Sequence, residues 1–250
     1  MPKPSKPYLQ IPIVECGDPL VPIPLSTFAR QTPHAYAALG APYGQASPFW
    51  VRSQVLQALI EAQAHLQLTH PHWQLLIFDA YRPIAVQQFM VDYTFAQVLQ
   101  ARHLQMESLS DIEQQNIWDQ VYQLWAAPSL DPQTPPPHST GAAVDVTLWD
   151  AQAQQSIDMG SEIDELSARS HPSHFAYLAK DPHIEASART AAQQANTHRH
   201  ILHTAMTAAD FQRHPGEWWH FCLGDQMWAW LQQQAHSTTE ITARYGNIEP

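Results

Sequence analysis

Apolar residues along this chain fall into a few periodic runs, separated by proline-rich stretches. Pro2, Pro4, Pro7, Pro12, Pro19, Pro22 and Pro24 punctuate residues 1–25. Each ring fixes φ and removes a backbone donor, so this segment should run extended and wrap the body. Pro33, Gly40, Pro42, Gly44 and Pro48 break up residues 26–48, which read as a long loop of the kind that often carries function. Over residues 50–68 the spacing turns helical, with Val51, Val55 and Leu59 every four residues and Leu56, Ile60 and Leu66 beside them. Gln63 takes the next place in that series and interrupts the apolar face. Pro71 ends the helix, and residues 73–79 form a continuous apolar run that reads as a buried strand. Pro83 suits the first turn of a helix predicted over 84–104. Ser110 followed by Glu113 is a capping-box pattern, and Ile112, Ile117, Val121 and Leu124 give the face of a helix ending near 127.

Pro128, Pro132 and the run Pro135, Pro136, Pro137 then make a stiff connection. Residues 142–149 alternate as a strand, with Val144, Val146 and Leu148 on one face and Ala143, Asp145 and Thr147 on the other. Residues 150–184 are mixed, and 185–207, rich in Ala and Gln, predict a helix. A connection over 211–215 leads to a strand over 217–223, broken by Gly224. A last helix over 226–236 precedes a polar tail, 237–250. Helices and strands segregate without regular βαβ alternation, which predicts an α+β fold. No internal repeat or long linker divides the chain, so residues 1–250 read as a single domain.

Composition narrows the function classes. The net charge of −11 argues against nucleic acid, whose phosphates need a surplus of Lys and Arg. Apolar residues make up 44% and nine are Trp, enough for a sizeable core. Cys16 and Cys222 are no disulfide framework, and the expectation is two buried free thiols. The first sixteen residues lack an apolar run with a small-residue cleavage site, and no stretch nears the roughly 20 apolar residues of a membrane span. These features predict a soluble cytoplasmic protein. With fifteen His, no single one stands out by number.

Chemistry concentrates in two stretches, His138-Ser-Thr-Gly-Ala-Ala-Val-Asp145 and Glu217-Trp-Trp-His220. An acid between valines on a half-buried strand costs energy unless something pairs with it, and a metal would do so. His138, Asp145 and His220 together suit a catalytic zinc with a fourth position open to water, and Glu217 would then take a proton from that water. Each stretch alone also fits a plainer description, a loop His with a turn-capping Asp, or a surface acid beside a core His. On an ideal strand residues 217 and 220 face opposite sides, so their spacing is compatible with a shared metal without diagnosing one. Arg82, held stiffly between Tyr81 and Pro83, fits either an oxyanion-binding guanidinium or a salt bridge to Asp79. His198, His200 and His203, and His171 and His174, fit solvated or capping roles better than a second metal. Trp218 and Trp219 read as core beside the site.

Asp79-Ala-Tyr-Arg-Pro83, the His138 and Glu217 stretches, and Met159-Gly-Ser-Glu-Ile-Asp164 resemble, in order and approximate spacing, the motifs of the D-alanyl-D-alanine dipeptidases, the vancomycin-resistance type of zinc dipeptidase. The resemblance covers residues 30–225, and four motifs in order are specific where any one is weak. It implies one zinc per chain on His138, Asp145 and His220, with Glu217 as the catalytic carboxylate. It also implies that Arg82 stabilises the tetrahedral intermediate and that Asp164 meets the ammonium of a small dipeptide. The implied fold has a central antiparallel sheet flanked by helices, shared with the DD-peptidases and the amino-terminal signalling domain of Hedgehog proteins. Two features depart from the family pattern. Pro136 stands where members often carry an amine-binding serine, and the tyrosines of the amino-terminal loop align only loosely, with Tyr36 and Tyr43 as candidates. Competing expectations are a DD- or LD-carboxypeptidase acting on cell-wall peptides and a zinc-binding module without catalysis. No nucleic-acid or membrane partner is expected.

Overall fold

Proline spacing keeps the N-terminal segment out of helix beyond one 3-10 turn at Pro7–Gln10; from there it runs largely extended into Leu20–Pro22 (β1) and Ala29–Arg30 (β2). This computed structural model describes residues 6–236 and 240–248, so the start of that segment and part of the expected polar tail lie outside the described residues. The loop over 26–48 holds β2 and one helical turn, Ala35–Ala38 (α1). The helix expected from residue 50 begins later. Trp50–Arg52 (β3) is extended and pairs antiparallel with β1, Val21 opposite Val51, and the helix is Ser53–Thr69 (α2). Four-residue spacing cannot separate the first turn of a helix from a strand that feeds it.

The remaining elements are Trp73–Asp79 (β4), Ile84–Ala101 (α3), Asp111–Leu124 (α4), Ala143–Asp150 (β5), Gln155–Ser156 (β6), His174–Leu178 (α5), Ala186–Thr207 (α6), Gln212–Arg213 (β7), His220–Cys222 (β8) and Gln226–His236 (α7). The Ser110 and Glu113 capping box opens α4 with both reciprocal bonds in place. The main sheet runs β2-β4-β5-β8-β7, with β6 on β5. β2 and β4 are parallel, and every other pair in it is antiparallel. The fold is therefore a mixture of helices and a mainly antiparallel central sheet.

The alternation along β5 sorts two apolar layers. Val144, Val146 and Leu148 join Leu75 and Ile77 of β4, Val55, Leu59 and Leu66 of α2, and Leu202 and Met206 of α6. Phe78 packs instead with Tyr36, Val86, Met90, Phe95, Ile117, Val121 and Trp125, the layer of α3 and α4. Gln63, which breaks the apolar stripe of α2, is buried for a reason: its Nε2 donates to the Trp73 carbonyl at 3.0 Å and its Oε1 accepts the Leu75 N–H at 2.7 Å. Both cysteines are free; Cys222 is buried, and Cys16 is exposed rather than buried as expected. Among the described residues no helix is long and apolar enough to cross a membrane.

Candidate metal and catalytic site

Two carboxylates meet where the central strands end. β4 and β5 pair with Ile77 opposite Val146, then shift register so that Asp79 lies opposite Asp145. On the other side of β5, Asp145 pairs with His220 of β8. His138 arrives on a 3-10 turn, Pro137–Thr140, delivered by the three prolines and closed by Gly141 at φ 71°. A Cβ at Gly141 would stand 2.5 Å from a Leu20 side-chain carbon, so glycine answers both the backbone and the space. Ser139 Oγ donates to the Arg82 carbonyl at 2.8 Å and the Arg82 N–H to the His138 carbonyl at 3.3 Å, which locks this turn to the segment after β4.

His138, Asp145 and His220 are all buried. Nδ1 of His138 lies 2.7 Å from the Ala80 carbonyl, which can only accept, so Nδ1 carries the proton and Nε2 keeps its lone pair. That Nε2 is 3.1 Å from His220 Nδ1 and 3.3 Å from Asp145 Oδ2, while His220 Nδ1 is 3.0 Å from Asp145 Oδ1. Tetrahedral zinc with bonds of roughly 2.0–2.1 Å separates its ligand atoms by about 3.3 Å. The donor types and their spacing therefore fit that ion. Burial opposes ionisation of Asp145, but His138 and His220, by charge and hydrogen bond, hold its carboxyl well below the usual range. Among the described residues this is the one group of three or more His, Cys, Asp or Glu close enough to share a metal. His198 instead places Nδ1 2.6 Å from the Asp158 carbonyl.

Of the two descriptions of Arg82, the salt bridge to Asp79 is present in the fold. Its Nε donates to Asp79 Oδ2 at 3.0 Å and its Nη1 to Gln87 Oε1 at 2.9 Å, while Nη2 lies 3.4 Å from Asp145 Oδ2. Two neighbouring rings pack on the guanidinium, its Cζ 5.0 Å from the Tyr36 centroid and 4.9 Å from that of Trp125. Asp79 is fully buried and also faces His34 Nε2 at 3.1 Å and the Tyr43 hydroxyl at 3.0 Å. Burial pushes the Asp79 carboxyl up, yet Arg82 and His34 outweigh it and keep it ionised. Asp79 thus fixes Arg82 through both Nε and Nη2, the latter at 2.8 Å, and Nη2 also reaches Asp145.

Asp164 lies in left-handed backbone at φ 63° and accepts the Tyr36 hydroxyl proton at 2.6 Å. Burial and the Asp145 charge push its pKa up to about 7, against that hydrogen bond. Glu217 is not on the strand expected over 217–223. It stands in the turn before β8, with its N–H on the His214 carbonyl at 3.4 Å. That placement removes the opposite-face difficulty, and Glu217 Oε2 comes within 4.0 Å of His220 Nδ1. Burial and Asp145 push its pKa well up, partly offset by Lys6. Trp218 and Trp219 are both buried, and the Trp218 indole donates to Ser161 Oγ at 2.9 Å.

One pocket is lined by Arg82, His138, Asp145, Asp164, Glu217, Trp219 and His220 together with Lys6, Tyr8, Gln87, Trp125 and His214. The last five carry no local signal in the sequence. His34 and Tyr36 could have been suspected only as polar groups inside an irregular segment. Asp79 was visible both as a motif residue and as a salt-bridge partner for Arg82; its further contacts with His34 and Tyr43 were not.

A family model described as D-ala-D-ala dipeptidase matches residues 29–241. The chain is 50% identical to a D-alanyl-D-alanine dipeptidase of Synechocystis sp. over 246 residues, 98% of each chain. It is also similar to D-alanyl-D-alanine dipeptidases of Escherichia coli, 37% identical over 86 residues (34% of this chain and 37% of that one), and of Enterococcus faecalis, 30% over 89 residues (36% and 37%).

Proposed function

Because the chain belongs to the D-Ala-D-Ala dipeptidase family, we propose that it hydrolyses D-alanyl-D-alanine, or a closely similar D,D-dipeptide, with one zinc held by His138, Asp145 and His220. The observation that carries this reading is the convergence of those three buried donors at 3.0–3.3 Å beside the buried Glu217. Bound there, zinc would supply Lewis acidity that polarises the scissile carbonyl and acidifies the attacking water. Glu217, buried beside these donors with its carboxyl pushed up by burial and by Asp145, accepts that water's proton and returns it to the leaving amine. Arg82, locked by Asp79 and Gln87, holds its guanidinium beside Asp145, where its positive charge favours the charge that develops on the carbonyl oxygen. Asp164 pairs with the free ammonium and so selects a dipeptide over a longer or amino-blocked chain. Pro136 has no side-chain donor or acceptor, so the Tyr36 and Asp164 pair carries the recognition of the amine. The same reading takes in the fold relationship to DD-peptidases and Hedgehog domains, a single domain over 1–250, and work on a free dipeptide in the cytoplasm.

The test compares zinc content and D-Ala-D-Ala turnover in two variants. Glu217→Ala should keep one zinc per chain and lose kcat by about 10²–10⁴-fold. His138→Ala should lose the zinc. Near-normal kcat in the first variant, or tight stoichiometric zinc in the second, removes the corresponding assignment.

A further inference from the structure

A free dipeptide carries a carboxylate as well as an ammonium, and Asp164 answers only the ammonium. The long cationic side chains lining the pocket are Lys6 and Arg82; the third basic group outside the metal set, His214, accepts the Gly216 N–H on Nδ1 at 3.1 Å. Arg82 is largely committed, with Nε on Asp79, Nη1 on Gln87, and Nη2 shared among Asp79, Asp145 and Tyr36. The Lys6 side chain makes no hydrogen bond or ion pair among the described residues, although it lines a pocket that also holds Asp145, Asp164 and Glu217. An ammonium so placed has donors to spare for an anion brought by a ligand.

The position of Lys6 is built rather than incidental. Its carbonyl accepts the Leu9 N–H at 3.0 Å in the 3-10 turn, and Tyr8, next in line but one, is 6% exposed. Gln226 of α7 donates Nε2 to the Ile11 carbonyl at 2.7 Å and reaches that of Leu9 at 3.4 Å. The N-terminal strap is therefore pinned to the last helix at the C-terminal end of its turn. It also lies ahead of residue 29, where the family match begins, so Lys6 is no part of the matched pattern.

We propose that Lys6 is a specificity-determining residue that binds the C-terminal carboxylate of the dipeptide, with Asp164 at its other end. This rests on the dipeptidase reading, and the substrate then spans the pocket between opposite charges. The test uses the full zinc-loaded chain, D-Ala-D-Ala, and the same dipeptide as its C-terminal amide. Lys6→Met should raise KM for the free dipeptide about 10–100-fold, with kcat and the melting temperature nearly unchanged. KM for the amide should barely move, and Lys6→Arg should recover most of the loss. An equal effect on both substrates overturns the proposal. So does a fall in kcat with an altered pH profile and unchanged KM, which would place Lys6 on Glu217 instead. Calorimetric binding of the two peptides to the Glu217→Ala protein, with and without Lys6→Met, separates the two failures. A carboxylate-dependent, Lys6-dependent affinity without wild-type turnover would sink the dipeptidase reading and keep Lys6, whereas no Lys6 dependence would sink Lys6 alone.

Discussion

Asp164 is a carboxyl at odds with its surroundings. It is half-buried, sits in left-handed backbone at φ 63°, and has the Asp145 charge nearby. Burial first and Asp145 second push its pKa up to about 7, and the Tyr36 hydrogen bond offsets only part of this. Zinc on Asp145 would cancel part of the smaller cause and leave the larger one. Only the ionised carboxylate can pair with a substrate ammonium, so below that pKa binding must first expel a proton. KM for D-Ala-D-Ala should then rise about tenfold per unit as pH falls below 7. In Asp164→Asn, KM should be high and flat over the same range. Stability moves the other way. The folded state holds the Asp164 proton up to about 7 while the unfolded chain gives it up near the ordinary aspartate value of 3.8, so folding stability falls as pH rises between them. Asp164→Asn should therefore be more stable than wild type at pH 8, and chemical denaturation should show that advantage vanish toward pH 4. A KM that stays flat in the wild type would remove Asp164 from amine recognition.

Elements show a similar conflict between pattern and contact. By spacing alone, Gln63→Leu completes the apolar stripe of Val51, Val55 and Leu59 and ought to stabilise α2. In the fold, Gln63 holds the first residues of β4 through the Trp73 carbonyl and the Leu75 N–H, and it is 3% exposed. Leucine would leave both backbone groups without that partner, at about 1–3 kcal/mol. Urea titration should show Gln63→Leu destabilised by that amount; a gain in stability would mean that the stripe outweighs the bond. The sequence showed its long elements for the converse reason. α2, α4 and β5 repeat a period over enough residues to be read, a continuous apolar run marked β4, Pro83 and an Ala- and Gln-rich composition marked α3 and α6, and the capping box marked the start of α4. Pairs such as β1 with β3 or β7 with β8 span three residues or fewer and depend on partners distant in the chain. The site divides in the same way. His138, Asp145, Glu217 and His220 could be named from local motifs. The bulge that sets Asp79 beside Asp145, and the turn that frees Glu217 from strand geometry, exist only once the sheet is assembled.

Across the whole molecule, Arg52 ties both ends of the chain to the turn that carries His138. It is 1% exposed and every guanidinium donor has an acceptor. Nε donates to the Thr140 carbonyl at 2.7 Å, Nη1 to the Asp18 carbonyl at 2.6 Å and Glu15 Oε1 at 3.1 Å, and Nη2 to Glu15 Oε2 at 3.0 Å and the Gly246 carbonyl at 3.1 Å. Tyr245 covers the group, its ring centroid 5.1 Å from Cζ. Three of the five acceptors are backbone carbonyls from separate stretches of chain, so the planar fork matters more than the charge. Arg52→Met strands those carbonyls and should cost about 3–5 kcal/mol. Arg52→Lys, with a single nitrogen, should lose nearly as much. Glu15→Ala should cost about 1 kcal/mol or less, because that carboxylate side chain is 40% exposed and water can replace it. Thr140 closes the turn that holds His138, so the loss should also reach the metal site: Arg52→Lys should weaken zinc binding about 10–100-fold, as other supports behind a ligand do. Denaturant titration and a zinc competition assay on the same three variants test both halves. If Arg52→Lys binds zinc as tightly as wild type while losing stability, Arg52 holds the chain ends alone and the turn positions His138 without it.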